Sequence, residues 1–451
     1  MNHLKLYALR SLPLKATSRF INVRYLSSVK DPSDIERDRR PKLTIPRGIL
    51  GQPTCHTHPH LIPHGHLTCG ITQMEYKERR EILVSKLIEA ENVHKTHVIV
   101  IPAARKQYMS DKIPYVFRQN SDFFYLTGCL EPSAILVMIK SAERDTYKSI
   151  LFVHDKDSHA ELWEGPRTGC SAASTLFSVD EAQPVENFNN FINRTITSLK
   201  PSILWYHNES PANPDIHETV RSSLRQSQAT LEDPQKVLHQ MRVVKSPAEV
   251  ELMKETCYIG SQSVNMAMAC TKPGCQRWLY NSDISRTWPV SGKFSPHQRI
   301  LYELVLAVQK RLIALLAEQR PPLDQLFDHM CRLLGMYLQQ EGILPKNIDA
   351  NDLIGRAYRL CPHHVSHYLG LDVHDAPLVR RRVPVAAGMV VTVEPGIYIR
   401  PDDTSVPPEF RGVGIRIEDD VLVTDGQPLI LTEACVKEVS DIEAIVGKQS
   451  I

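Results

Sequence analysis

No run of about 18 apolar residues occurs in the 451-residue chain, so nothing in it reads as a membrane-spanning helix. Neither sign of charge prevails. Fifty-three basic residues face 51 acidic ones for a net +2, which offers a nucleic acid or a membrane surface no field to bind. Glycine is scarce, at 20 residues against 31 prolines, but the prolines are scattered among turns and strand ends, which excludes a low-complexity chain. The ten cysteines include no CxxC pair, and their spacings suit neither a zinc cage nor a small disulfide scaffold, so free thiols in a reducing compartment are expected. What is present is 42% apolar and 23% charged residues, a globular composition. At roughly 150 residues per domain the length suggests two or three domains.

The first thirty residues lack Asp and Glu altogether, while Lys5, Arg10, Lys15, Arg19, Arg24 and Lys30 alternate with leucines and hydroxyl residues. Such a composition marks a mitochondrial transit peptide, because the basic residues interrupt the apolar core of about 7–15 residues that a secretory signal needs. A location in the mitochondrial matrix is expected, with a second one in the cytosol left open. Residues 55–66, CHTHPHLIPHGH, hold five histidines, yet their prolines deny any fixed ligand geometry, and a solvated linker is the better reading. The expected division is a transit peptide over 1–30, a Pro/His-rich linker over 31–69, an N-terminal domain over 70–243 and a catalytic domain over 244–451.

Thr72 and Glu75 form a capping-box pattern before a helix carrying Ile82, Leu83, Leu87 and Ile88. Short apolar runs follow at 97–102, 134–139, 149–154 and 202–207, separated by helical patterns and turns, as in an α/β domain with a mixed sheet. Ser246-Pro-Ala-Glu249 is a second capping box and opens the second half. Residues 298–318 and 323–340 read as long amphipathic helices. The segments 389–399 and 413–424 read as strands that can pair as a hairpin.

Four islands of possible ligands lie in this second half: Asp283, the histidines of PHHVSHYLGLDVHD, Glu394 and Glu418. Carboxylates with one imidazole suit hard or borderline divalent metals. Thr392 and Glu394 share one strand face, as do Arg416 and Glu418, because side chains two apart point the same way. A hairpin would bring both glutamates to one point among apolar neighbours, where burial without a cation is costly.

Together with RQNSDFFYLTG, ELWEGPR, VKSPAEVELM, HYLGLDVHD and GMVVTVEPGIYI, these islands resemble the metallopeptidase family of Xaa-Pro aminopeptidases, prolidases, creatinase and methionine aminopeptidases, and within it the mitochondrial Xaa-Pro aminopeptidases. The resemblance runs from about residue 70 to the C-terminus. It implies an α/β (α+β) architecture, with a creatinase-like N-terminal domain and a pita-bread catalytic domain. It also implies removal of the N-terminal residue from peptides with proline second, two Mn²⁺ ions per subunit and a homodimer. Asp283, His367, Glu394 and Glu418 would bind metal, with Asp283 and Glu418 bridging. His363 and His374 would contact the substrate carbonyl, Arg416 would orient its neighbours, and Glu394 would relay a proton from a metal-bridging hydroxide.

The sequence departs from the family at one place. The fifth ligand, an Asp eleven residues before Asp283, is replaced by Lys272, and several tens of residues of the first half of the pita-bread are missing between Gly274 and Asn281. One metal would keep four ligands and the other only the two bridges, so one Mn²⁺ ion or none is expected, with weak activity and apolar surface left uncovered. Two other readings remain. One is a prolidase acting on free dipeptides; the other is a non-catalytic pita-bread protein serving as a binding subunit.

Overall fold

All four apolar runs become strands of one sheet, in a computed structural model that describes residues 45–90, 94–110, 113–144, 146–199, 202–209, 211–271 and 283–448. The leader of residues 1–30, Lys272 and the junction between Gly274 and Asn281 lie outside the described residues. Thr96–Pro102, Ile135–Lys140 and Lys148–Val153 pair antiparallel, while Ser202–Trp205 joins Thr96–Pro102 in parallel. Glu181–Pro184 and Thr230–Glu232 complete the edges, also in parallel, so the sheet is mixed, as expected. The runs show no polar alternation because both faces are covered. Ile99, Ile101, Leu136, Met138 and Leu151 pack with Tyr76, Leu83 and Leu87 of the Gln73–Ala90 helix. Val98, Val100, Val137, Ile150 and Phe152 pack on the other side with Phe188 and Ile192.

Two local expectations turn out differently. Thr72 does cap the amide of Glu75 at 3.2 Å, but the Glu75 carboxylate turns to Arg79 and to the Ser246 hydroxyl instead of closing the box. The histidine-bearing stretch is irregular, yet Ile45, Leu50, Cys55, Ile62 and Leu67 anchor it in the core beside the Gln73–Ala90 helix. Its apolar residues are spaced too unevenly to show a period, which hides their burial from pattern reading.

At Ser246 the box is complete and opens the Pro247–Ala269 helix. The helices Pro296–Glu318 and Leu323–Gln340 match the amphipathic pattern; Pro296–Glu318 and Ala350–Leu360 pack on the strands that follow, and Leu323–Gln340 packs on those two helices. The segments 389–399 and 413–424 do form an antiparallel pair, though each is broken in two. Val390–Val393 pairs with Asp419–Leu422, and Gly396–Tyr398 with Gly414–Arg416. Val393 opposes Asp419 and Gly396 opposes Arg416, one register on both sides of the break, so Glu394 stands opposite Glu418 within it. Pro395 has no N–H to give the ladder. There the long helix intervenes: buried Gln309 donates from Nε2 to the carbonyls of Val393 and Ile417 at 3.5 and 3.3 Å.

Candidate metal centre

Three segments far apart in sequence meet at the break in that ladder. Asp283, His367 and Glu418 each offer a ligand atom, and these atoms lie within 4.8 Å of one another. Among the described residues this group alone has three His, Cys or acidic side chains so close.

Asp283 sits at the head of an extended segment stapled beside residues 416–418. The Glu418 amide donates to the Ser285 carbonyl at 3.0 Å, and the Arg416 amide to the Thr287 hydroxyl at 3.0 Å. Between them the Arg286 guanidinium turns away from the site. It bonds Asp419 Oδ1 at 2.6 Å and the carbonyls of Glu418, Val436 and Cys435, with both members of the ion pair fully buried. These bonds hold Asp283 in place.

His367 donates from Nδ1 to the Tyr368 carbonyl, 3.1 Å away. Since a carbonyl only accepts, Nδ1 carries the proton in the neutral ring, and Nε2 presents a lone pair to the centre. Nε2 lies 3.2 Å from Asp283 Oδ2 and 3.6 Å from Glu394 Oε1. Despite that short contact, Asp283 Oδ2 is buried and receives no well-aligned hydrogen bond. The two atoms lie close enough together to serve one cation.

The remaining expected residues surround this point. Glu394 lies outside the closest group but touches it, accepting from Thr392 at 3.3 Å and facing His363 Nδ1 at 3.8 Å. The ring of His374 stands edge-on to His367 with centroids 4.5 Å apart. His363 Nε2 is 2.9 Å from the Tyr398 hydroxyl. A Cβ at Gly396 would come within 2.7 Å of that hydroxyl, so the glycine makes room for the tyrosine. Arg416 Nε lies 3.9 Å from Glu418 Oε2 and bonds Ser285 Oγ at 3.0 Å. The loop around His374 is tied down by Arg242, which pairs with Asp122, Asp372 and Asp375, and by Lys245 on Asp375 at 3.2 Å.

Electrostatics match this geometry. Burial, reinforced by the charges of Glu394 and Asp283, pushes the Glu418 carboxyl up to about 8. Burial also raises Glu394, against the pull of His367, His363 and Arg416. His367 rises as well: burial opposes its charge, but Asp283 and the Tyr368 carbonyl prevail. Acids held above their ordinary range around one imidazole are a site short of positive charge, and the donor set fits a hard or borderline divalent cation.

Pattern reading missed four groups that shape the site: Ser285, Arg286, Gln309 and Tyr398. Ser285 and Tyr398 had a signal, since each lies within four residues of an expected ligand along an extended segment. Gln309 had none. It is one polar residue on a helix face otherwise lined by Tyr302, Val305, Leu312 and Leu316. Beside the centre lies a cavity of about 680 Å³, lined by Leu252, Met253, Cys257, Ile284 and Leu369 and bordered by Asp283 and Asp420. Asp420 is buried, with Oδ1 unpartnered.

Comparison with known proteins completes the description. Residues 76–205 match the aminopeptidase P N-terminal domain, and residues 251–425 match metallopeptidase family M24. Xaa-Pro aminopeptidase 3 of Homo sapiens is 36% identical over 475 residues, covering 91% of this chain and 93% of that protein. Intermediate cleaving peptidase 55, mitochondrial, of Arabidopsis thaliana is 32% identical over 88% of each chain. Among solved structures, zinc-substituted E. coli aminopeptidase P in complex with product superposes with a TM-score of 0.73 at 29% identity, over 83% of this chain and 98% of that one. Icp55 from Saccharomyces cerevisiae gives 0.72 at 29% identity, over 85% and 99%. The human alignment of 475 positions is longer than this 451-residue chain yet takes in only 91% of it, so the relative carries several tens of residues absent here. The chain belongs to metallopeptidase family M24, in the form where an aminopeptidase P N-terminal domain with a mixed sheet precedes a pita-bread catalytic domain.

Proposed function

We propose that the chain is a metalloaminopeptidase removing the N-terminal residue from peptides whose second residue is proline. The convergence of Asp283, His367 and Glu418 on one point carries this reading. The Homo sapiens relative is named an Xaa-Pro aminopeptidase, and family membership implies a divalent metal. Mn²⁺ is the proposed ion, held by Asp283, His367 and Glu418 with Glu394 alongside. When bound, it supplies Lewis-acid polarisation and lowers the pKa of water.

The chain's own residues do the rest. His374 and His363 flank the centre and donate to the scissile carbonyl oxygen. Glu394, whose carboxyl burial raises above its ordinary range, moves a proton at Oε2 toward the proline nitrogen, which must be protonated as it leaves. Tyr398 and Arg416 hold these groups in register.

The second metal seat is weak. Lys272 replaces the carboxylate that would close it, and two bridging groups alone hold a hard cation poorly. We therefore propose one ion per chain and activity well below that of a relative with all five ligands. Tyr258, Ile259 and Met266 on the Pro247–Ala269 helix stand 56%, 59% and 52% exposed, consistent with a lost covering layer. The proposed location is the mitochondrion, in accord with the Arabidopsis thaliana relative named as a mitochondrial peptidase and with the acid-free leader. Within it we favour the matrix, and a homodimer.

The replaced Asp favours a second reading, a non-catalytic binding subunit. Elemental analysis of residues 26–451 after equilibration with Mn²⁺, with assays on Arg-Pro-Pro and Gly-Pro, separates the readings. One ion and slow release of arginine support the proposal. Cleavage of Gly-Pro alone indicates a prolidase. No ion and no cleavage leave the binding subunit.

A further inference from the structure

The gap between Arg416 and Glu418 is filled by a side chain whose hydroxyl has no part in the mechanism above. Arg416 Nε and Glu418 Oε2 are 3.9 Å apart, too far to share a hydrogen bond. Ser285 Oγ lies between them. It accepts from Arg416 Nε at 3.0 Å and donates to Glu418 Oε2 at 2.6 Å. A guanidinium has no acceptor and a hydroxyl has one proton, so the chain of donation runs in one direction, from Arg416 through Ser285 to Glu418. The second bond has the length of a charge-assisted O–H···O⁻ contact.

We propose that Ser285 is a positioning residue for the metal centre, its hydroxyl setting the Glu418 carboxylate that faces Asp283 and His367. The inference rests on the metal reading given above. A direct fork between Arg416 and Glu418 would occupy both carboxylate oxygens and compete with a cation. Inserting one hydroxyl keeps the guanidinium a step back. Its charge still offsets that of the buried acid, while Oε1 and the free lone pair of Oε2 remain available. Ser285 cannot drift from this post. Its carbonyl is bonded by the Glu418 amide and by Arg286 NH1 at 3.1 Å, and Thr287 donates to the Arg416 carbonyl at 3.1 Å. The same extended segment that delivers Asp283 thus also delivers the group that orients Glu418.

Equilibrium dialysis and thermal shift with MnCl₂ alone test this on the full chain. Ser285→Ala should bind Mn²⁺ roughly 10–100-fold more weakly, the usual consequence of removing a partner of a metal ligand. Its metal-free melting temperature should match the parent's, and Ser285→Thr, which keeps the hydroxyl, should recover the affinity. If Ser285→Ala does not fold, Arg416→Met removes the donor instead and should weaken Mn²⁺ by a similar factor. Equal affinity in parent and Ser285→Ala overturns the proposal, as does a Thr variant as impaired as Ala, which would make packing the cause. A parent chain that binds no Mn²⁺ refutes the metal reading itself, and this inference with it.

Discussion

Replacing Glu418 by Gln separates the metal function of the site from its stability. The substitution keeps shape and hydrogen-bonding oxygen but removes a charge that the fold resists. Burial and the neighbouring Glu394 and Asp283 move that carboxyl from an ordinary 4.5 to about 8. A carboxyl raised in this way contributes stability that is fully present below 4.5 and lost as pH climbs through 8. At about 1.4 kcal/mol per pH unit, the interval caps the loss at about 5 kcal/mol, and relaxation and water entry reduce this to about 2 kcal/mol. In EDTA, Glu418→Gln should therefore melt with the parent at pH 5, where both groups are neutral, and a few degrees above it at pH 9. Mn²⁺ should reverse the order at pH 8, since the parent gains by binding and the variant has lost a ligand. Differential scanning fluorimetry at pH 5 and 9 in EDTA, and at pH 8 with EDTA or MnCl₂, makes these comparisons. A variant no more stable than the parent at pH 9 in EDTA would show that Glu418 carries no buried strain. An equal Mn²⁺ response in both proteins would remove Glu418 from the centre.

Two further outcomes follow from the packing. Arg286→Met leaves buried Asp419 without its main partner and unpairs three carbonyls, so urea titration should show a loss of about 3–5 kcal/mol; a loss under about 1 kcal/mol would mean the 283–287 segment is held by something else. Tyr258→Lys with Ile259→Lys on the exposed helix face should change stability by no more than about 0.5 kcal/mol while lowering light scattering on storage, and a loss above about 2 kcal/mol would show that this face is covered in solution.

Much of the scaffold was legible along the chain. Short apolar runs at 97–102, 134–139, 149–154 and 202–207 announced strands of a mixed sheet, and the sheet uses all four. The 298–318 and 323–340 patterns announced two long helices, seen as Pro296–Glu318 and Leu323–Gln340. Pairing of the 389–399 and 413–424 segments followed from their proximity and alternation, and with it the meeting of Glu394 and Glu418. These features depend on period, capping and turn chemistry, which act within a few residues.

Other features could not be read in that way. The break at Pro395, the Gln309 side chain seated in it, the burial of Ile45 to Leu67 and the Arg286–Asp419 pair all depend on which elements pack together. Asp283 and His367 lie 3.2 Å apart only because an extended segment from one end of the domain is stapled beside 416–418 while a loop from another is clamped by Arg242 and Lys245. The sequence by itself determined the elements, the two-part organisation and the kinds of side chain available for a metal. Tertiary structure alone decided which oxygens and nitrogens converge, that Ser285 stands between Arg416 and Glu418, and how far burial lifts the Glu418 carboxyl. The physical reason is that propensity and periodicity are local properties of a chain, whereas ligand distances and desolvation are set by close packing among elements far apart in it.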